Sequence, residues 1–369
     1  MDVSVVGGGI VGLMSAYFLS EEADVTLYDP DPGSYSVHAA GLIEPYRFDK
    51  INTTSMLAKM VKYMRRGVTE VRQVNKLWLR ELLLSLNKEP PPDAWNIMRE
   101  MAEFSLKFYK EMASERNDFG YREDGLLELY TSKEQLEQGA KEERSSPFRP
   151  KHEIVDVPGF AGGIFFPELS RIETEKFVRR ILHELEFRKV RIIKKRASLD
   201  LQKGKVDGKE SDVIVVSNGI WMNQIFPMPL TAFKGYGYWI QGESKIDKAF
   251  VTVDEGVAVS PLSDHVKVTG GFSADFSDNW RGDFVLEKVS NFVKINKIIE
   301  KSMGFRPCSP DGFPILGRKG KIVIATGACR LGWSYGPAMG LHSTELALGK
   351  AKNHPYLSRL VERYITIPS

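Results

Sequence analysis

The run Gly7-Gly8-Gly9-Ile10-Val11-Gly12 constrains this 369-residue chain more than any other feature. It follows Val3 to Val6, which read as a short buried strand, and it opens an apolar helical run from Val11 to Leu19. In a G-x-G-x-x-G turn the first glycine permits a tight bend, the second lets the backbone approach a pyrophosphate, and the third lets helix and strand pack closely. Those roles fall on Gly7, Gly9 and Gly12, and the helix start at Ile10 and Val11 then faces the anion. A second strand, Asp24 to Tyr28, ends at Asp29, about twenty residues past the glycines, where a carboxylate can accept hydrogen bonds from both ribose hydroxyls and disfavours a 2′-phosphate. The competing reading is a glycine-rich turn without a ligand, and the succession of strand, glycines, helix, strand and acid weighs against it. NAD and FAD both place an adenosine diphosphate here, so this half leaves the dinucleotide open.

The length suits two intertwined domains. Lys and Arg total 51 against 48 Asp and Glu, a net charge of +3 without a basic stripe, which argues against a nucleic-acid partner. The densest basic run, Lys194 to Arg196, reads as a solvated turn. The two cysteines, Cys308 and Cys329, cannot ligate an iron–sulfur cluster alone, and no C-x-x-C or H-E-x-x-H occurs, so no metal site is expected. A disulfide is possible, but the low count favours a reducing compartment, and a cytoplasmic protein is expected. The uncharged run Val3 to Ser20 is broken by glycines, lacks a basic leader and is short for a membrane span, so neither a signal peptide nor a transmembrane segment is expected.

Between Asn52 and Arg116 the apolar residues recur at helical spacing, as in Leu77, Trp78, Leu82 and Leu83 and in Met98, Met101, Phe104 and Phe108, which read as core stripes. Pro90-Pro91-Pro92 divides them into separate helices. A strand is expected at Gly125 to Tyr130, and a helix from Glu173 to Phe187 leads to two short strands near Val190 to Ile193 and Ser198 to Leu201. Ser211 to Val216 reads as a buried parallel strand that runs into Asn218-Gly219-Ile220-Trp221 and extends the nucleotide-binding sheet. From Phe226 to Phe276 strands alternate, with Tyr236, Tyr238 and Ile240 on one face and Trp239 on the other. The tyrosine face could line a pocket, although half-buried sheet packing is the commoner cause of such a stripe.

Towards the C-terminus, Gly304-Phe305-Arg306-Pro307 precedes a turn-rich stretch with Pro310-Asp311-Gly312. A strand, Lys321 to Ala325, leads to Thr326-Gly327-Ala328-Cys329-Arg330-Leu331-Gly332 and then to Trp333-Ser334-Tyr335-Gly336-Pro337, where a last long helix opens with Pro337 suited to its first turn.

These segments, taken with the N-terminal fingerprint, His38-Ala39-Ala40-Gly41-Leu42-Ile43 and the Asn218 to Trp221 turn, occur in an order that resembles the D-amino-acid oxidase family, which includes glycine oxidase, sarcosine oxidase and the dye-linked proline dehydrogenases. The resemblance spans nearly the full length and is weakest between residues 52 and 116. It implies an α/β fold with a Rossmann-like FAD-binding domain (1–51, 145–225 and 300–369) and a second α+β substrate domain built on an antiparallel sheet (52–144 and 226–299). FAD would be held by Gly7, Gly9, Ile10, Val11, Gly12, Asp29, Ala40, Gly41, Leu42, Asn218, Gly219, Trp221, Gly332 and Gly336.

The reaction so implied is hydride transfer to flavin from the carbon beside a neutral amine, giving an imine that water hydrolyses. The substrate would be a small amine or amino acid of the D-amino acid, glycine, sarcosine or proline type. Arg306 matches the family's carboxylate-binding arginine, Arg330 resembles the second arginine of glycine oxidases, and Tyr238 is the candidate from the tyrosine face. Gly304 replaces the cysteine that bonds the flavin in monomeric sarcosine oxidases, so dissociable FAD is expected, with Cys308 a small packing residue. Val268 takes the position of the lysine that assists oxygen in those enzymes, with Lys267 on the opposite face, so a dehydrogenase passing electrons to another acceptor is at least as well supported as an oxidase, and the acceptor is left open between oxygen, a quinone and another subunit. Two other readings are an FAD-dependent hydroxy-acid or glycerol-phosphate dehydrogenase, for which His38 and His265 are the candidate bases, and a non-catalytic FAD-bearing subunit of a larger complex.

Overall fold

The computed structural model describes residues 1–65 and 67–366. Its first strand, Asp2–Val6, has parallel neighbours on both sides: Val3 pairs with Val25 of Asp24–Tyr28 and with Val213 of Val213–Val216. A strand flanked and covered in this way needs apolar side chains on both faces, which explains its nearly continuous apolar run. The sheet has six strands, in the order Ile315–Lys319, Ile322–Thr326, Val213–Val216, Asp2–Val6, Asp24–Tyr28 and Arg191–Ile193. Only its first pair is antiparallel.

An eight-stranded sheet forms the second layer, led by the edge strand Val293–Cys308 and its neighbour Thr231–Ser244. Its pairings are antiparallel except that of Ala249–Thr252 with Leu126–Tyr130. The chain crosses between layers at places other than those expected from the sequence. Pairing extends from Ser244↔Val293 to Thr231↔Cys308, with register shifts that skip Asn296 and Ile299, so residues 300–308 belong to the antiparallel sheet, as do Glu153–Val155 and Gly162–Phe166. The helix Pro92–Glu115 instead buries Ala94, Met98, Met101 and Tyr109 in the core of the nucleotide-binding layer.

The proline run does separate helices, with Lys76–Leu84 before it and Pro92–Glu115 starting on its last member. Of the apolar stripe in the earlier helix, Trp78 and Leu82 are buried, but Leu83 points to solvent. The last long helix, Gly332–Ala347, starts earlier than expected, so Pro337 lies inside it. Proline lacks the N–H that would reach the Trp333 carbonyl, and the Tyr109 hydroxyl supplies that hydrogen bond at 2.8 Å. Ser105 accepts the neighbouring Ala338 N–H at 3.2 Å, so the long middle helix repairs the break. The last helix also packs tightly on the first, Ile10–Leu19: a Cβ on Gly340 would sit 2.5 Å from the Cβ of Met14. No helix among the described residues is long and apolar enough to cross a membrane.

Candidate active site

The strand Asp2–Val6 delivers the glycine turn to the mouth of a cavity of about 890 Å³, where residues from both ends of the chain meet. Gly7 has φ 104°, and a Cβ there would lie 2.6 Å from the Asn218 backbone, so the crossing of two strand ends permits only glycine. A Cβ on Gly12 would lie 1.8 Å from the Gly7 carbonyl oxygen. Gly9 differs, because its only near neighbour would be the Ser36 hydroxyl at 3.3 Å, and its bare backbone faces the open cavity. Ser36 accepts the Ile10 N–H at 2.9 Å, where the first helix begins. The Asp29 carboxylate accepts the Gly8 N–H at 2.7 Å and the Asp31 N–H at 2.8 Å, and the residue lines the cavity.

Gly7, Gly9, Ile10, Val11, Asp29, Asn218, Gly219, Trp221 and Gly332 all line this space. The Asn218 Oδ1 is buried with no hydrogen-bond partner among the described residues. An extended cradle with a bare glycine backbone, a helix N-terminus, a carboxylate and an unsatisfied amide oxygen fits a dinucleotide. Gly12, Ala40, Gly41, Leu42 and Gly336 stand behind the lining. Gly41 has φ 79° and abuts the Ile172 carbonyl, Leu42 pairs with Arg171, the Ala40 carbonyl accepts from Ser260, and Gly336 packs on Ile10. Arg196 reaches the cavity and bonds Gln224, so the basic turn is not purely solvated as expected. Tyr35 and Phe305 form an aromatic group with the expected Trp221 at the rim, and the sequence singles out neither them nor Ser36 as site residues.

The two candidate arginines both line the cavity and differ in their partners. Arg330 is held by Asp49 at 2.7 Å, by Glu44 and by the Arg47 carbonyl. Arg306 has no carboxylate within ion-pair distance among the described residues, and its one hydrogen bond runs to the Gly271 carbonyl at 3.2 Å. Burial, aided by the charge of Arg330, pushes its pKa down to about 10, so it remains charged at neutral pH. Its guanidinium carbon lies 5.4 Å from the Phe272 ring centre, and a Cβ on Gly235 would come within 2.7 Å of both terminal nitrogens. Glycine at 235 therefore leaves the fork accessible.

Of the tyrosine face only Tyr236 lines the cavity, which the antiparallel sheet meets mainly through the opposite face. Tyr236, Tyr238 and Ile240 pack with Val266, Val268 and Val285, and the Tyr238 hydroxyl donates to Asp283 at 3.1 Å, so Tyr238 lies outside the cavity lining. Thr269 lines the cavity, and Lys267 shares its side of the strand while Val268 turns into the core. Lys267 and Val268 do point to opposite faces, as expected, because the register shift opposite Lys234–Tyr236 lies beyond Gly270 and leaves the alternation from Val266 to Gly270 regular; the cavity lies on the side of Lys267 and Thr269. Lys267 does not present its ammonium to the cavity. It donates to the Val37 carbonyl, to Thr174 at 2.7 Å and to Glu175 at 3.2 Å, beneath the Trp239 ring. Burial lowers its pKa to about 8.

His38 lines the cavity with its Nδ1 unpartnered among the described residues. Burial, reinforced by the Lys267 charge, lowers its pKa to about 4, so the imidazole is neutral under ordinary conditions. Its Cβ lies 3.2 Å from where a Cβ on Gly304 would stand. His265 instead pairs with Asp264 and Glu175, away from the lining. The cysteines also depart from expectation: Cys308 is joined to Cys329 in a disulfide with a Cα–Cα distance of 4.2 Å. The strand end after Arg306 and the turn before Arg330 meet there, bridged by backbone pairing of Cys308 with Ala328, so a low cysteine count says nothing here about a reducing compartment.

A glycine cradle that opens into a sheet-walled chamber fits a dinucleotide-dependent enzyme. The FAD dependent oxidoreductase family matches residues 2–346, and the chain belongs to that family. It is 35% identical over 365 residues to the D-proline dehydrogenase of Pyrobaculum islandicum, covering 95% of this chain and 96% of that protein. It is 26% identical over 404 residues to a D-amino acid dehydrogenase of Methylobacterium nodulans, covering 95% and 96%. In fold it resembles glycine oxidase from Bacillus cereus (TM-score 0.71, 15% identity, covering 96% and 98%) and L-proline dehydrogenase from P. horikoshii (TM-score 0.70, 14% identity, covering 98% of each).

Proposed function

We propose that the protein is an FAD-dependent dehydrogenase of a small amino acid, of the D-amino acid, glycine or proline kind, and that Arg306 anchors the substrate carboxylate. The observation that carries this reading is a half-buried guanidinium, with no carboxylate in ion-pair distance among the described residues, in the same cavity as the glycine cradle. A charged fork in such a place is the natural two-point partner for a carboxylate. Bound FAD supplies the two-electron acceptor for hydride from the α-carbon. The protein then has to fix that carbon relative to the cofactor, and Arg306, the Phe272 ring against it and the side-chain-free Gly235 provide one fixed end. The neutral His38 offers an imidazole nitrogen that can accept a hydrogen bond from the substrate amine. The N-terminus of Gly332–Ala347 opens on the cavity, where its dipole favours negative charge.

Dehydrogenase is favoured over oxidase because the Lys267 ammonium is enclosed by Val37, Thr174, Glu175 and Trp239. Dissociable FAD is favoured because residue 304 is glycine and the His38 side chain abuts it. The close relation to a D-proline dehydrogenase over nearly the whole chain supports the substrate class. The test is anaerobic bleaching of the yellow protein by D-proline, glycine and other amino acids, compared with pyrrolidine as a carboxylate-free amine. Arg306→Ala should reduce efficiency on the amino acid at least about tenfold, through loss of a charged hydrogen bond, and leave the amine little changed. Equal losses on both would make Arg306 structural and remove the case for an amino acid.

A further inference from the structure

Among the described residues, six of the twelve large apolar side chains left exposed fall between residues 61 and 84. Val61 and Met64 stand on the helix Thr54–Arg65, which has no buried residue at all, and Leu79, Leu83 and Leu84 on Lys76–Leu84; these five are 44–57% exposed. The two helices form one unit. Asn52 donates to the Ser85 carbonyl at 2.6 Å, the Asn87 N–H bonds the Asn52 carbonyl at 2.7 Å, and the Thr54 N–H bonds Asn87 at 3.0 Å. Leu57 and Met60 pack with Trp78 and Leu82 on the inner side, over Phe233, Phe272 and the Cys308–Cys329 pair. The unit therefore roofs the part of the molecule that holds Arg306 and turns its remaining apolar residues outward.

The charges around this face are one-sided. Arg65, Lys76, Arg80 and Lys88 are exposed, with no carboxylate within ion-pair distance among the described residues. The acids of the segment are already engaged: Glu70 with Arg72, Glu89 with Lys50, and the buried Glu81 with Arg363 and Tyr364. Lys59 is answered by Glu142. We propose that the helices Thr54–Arg65 and Lys76–Leu84 dock the protein on the surface of an anionic lipid bilayer, with Val61, Met64, Leu79, Leu83 and Leu84 entering the interface and the basic residues meeting the head groups. Apolar burial and attraction to anionic lipid act together on such a face. A second copy of the chain is a poorer occupant, because a two-fold contact would set this positive face against itself.

The test uses the flavin-loaded protein in flotation with phosphatidylcholine vesicles and with mixed phosphatidylcholine–phosphatidylglycerol vesicles. The protein should float with the mixed vesicles, less so with phosphatidylcholine alone, and binding should weaken with salt. Leu79→Glu with Leu83→Glu should weaken binding at least about tenfold, and Lys76→Glu with Arg80→Glu should remove the preference for phosphatidylglycerol. Both variants should keep their flavin and their turnover with a soluble dye. Failure of the parent protein to float, equal binding to both vesicle types, or retention of binding by the leucine variant would overturn the proposal. A parent dimer that the leucine substitutions convert to monomers would assign the face to a second copy.

Discussion

Arg306 and Arg330 face one cavity, and the charge of Arg330 adds to the burial that lowers the proton affinity of Arg306, yet carboxylates neutralise only Arg330. The pair thus divides two tasks that sequence alone assigns to both. Arg330 fastens the loop of Glu44, Arg47 and Asp49 to the turn before the last helix. Arg330→Met should chiefly cost stability, by about 2 kcal/mol, because it leaves the buried Glu44 with Arg47 as its one remaining cation and removes the partner of Asp49, which is partly solvated. The urea midpoint should fall, and KM for the amino acid should change less than in Arg306→Ala. A larger KM effect from Arg330→Met than from Arg306→Ala would reverse the two roles.

Gly9 presents bare backbone to the cavity, with only Ser36 nearby. Gly9→Val should fold, since the added atoms enter open space, but should purify with little flavin because they occupy the path of the pyrophosphate. Absorbance of the purified protein measures this directly. Full flavin content in the variant would place the dinucleotide elsewhere.

The disulfide closes a sequence separation of 21 residues. On loop-closure grounds, Cys308→Ser with Cys329→Ser should lower unfolding stability by about 3 kcal/mol. Thiol titration under denaturing conditions, with and without prior reduction, establishes the bond, and a denaturant series gives its contribution. An unchanged midpoint would mean that the pairing of Cys308 with Ala328 already secures the two segments.

His38 links stability to pH. Its pKa falls from 6.5 to about 4 in the folded protein, first through burial and then through Lys267. Between those values the unfolded chain binds a proton that the folded one refuses, so stability rises with pH. The contribution is complete above about 6.5 and is lost as pH falls through about 4. His38→Gln should flatten the dependence of Tm on pH across this window, and parallel curves for the two proteins would contradict the assignment.

The parts of the site legible in the sequence are those fixed by local backbone need. Gly7 and Gly12 are required by contacts that any strand–turn–helix of this kind makes, and the strand beside Asn218 could be read from its apolar run. Arg306 was legible through its motif, but that it lacks a carboxylate partner was not, because this depends on Gly235, Gly271 and Arg330, which are distant in sequence. The tyrosine stripe misled at Tyr238, though not at Tyr236, because alternation tells which residues share a face and not which part of it is covered. The face holding Tyr238 is covered by Val285 and Trp280. Likewise Pro337 resembles a helix start until Tyr109, far earlier in the chain, is seen to satisfy the carbonyl it leaves free.

The central strand Asp2–Val6 is flanked by Val213–Val216, which is flanked in turn by Ile322–Thr326, and the first helix rests on Gly332–Ala347. During synthesis the glycine turn therefore emerges about 300 residues before its last walls, Ile322–Thr326 and Gly332–Ala347. Domains generally fold as units as the chain emerges, but this one cannot finish its nucleotide-binding layer in the first half of translation. Flavin can be captured only once the helix Gly332–Ala347 has been made, and until then the apolar strand Val3 to Val6 has to be kept from pairing with the wrong neighbour.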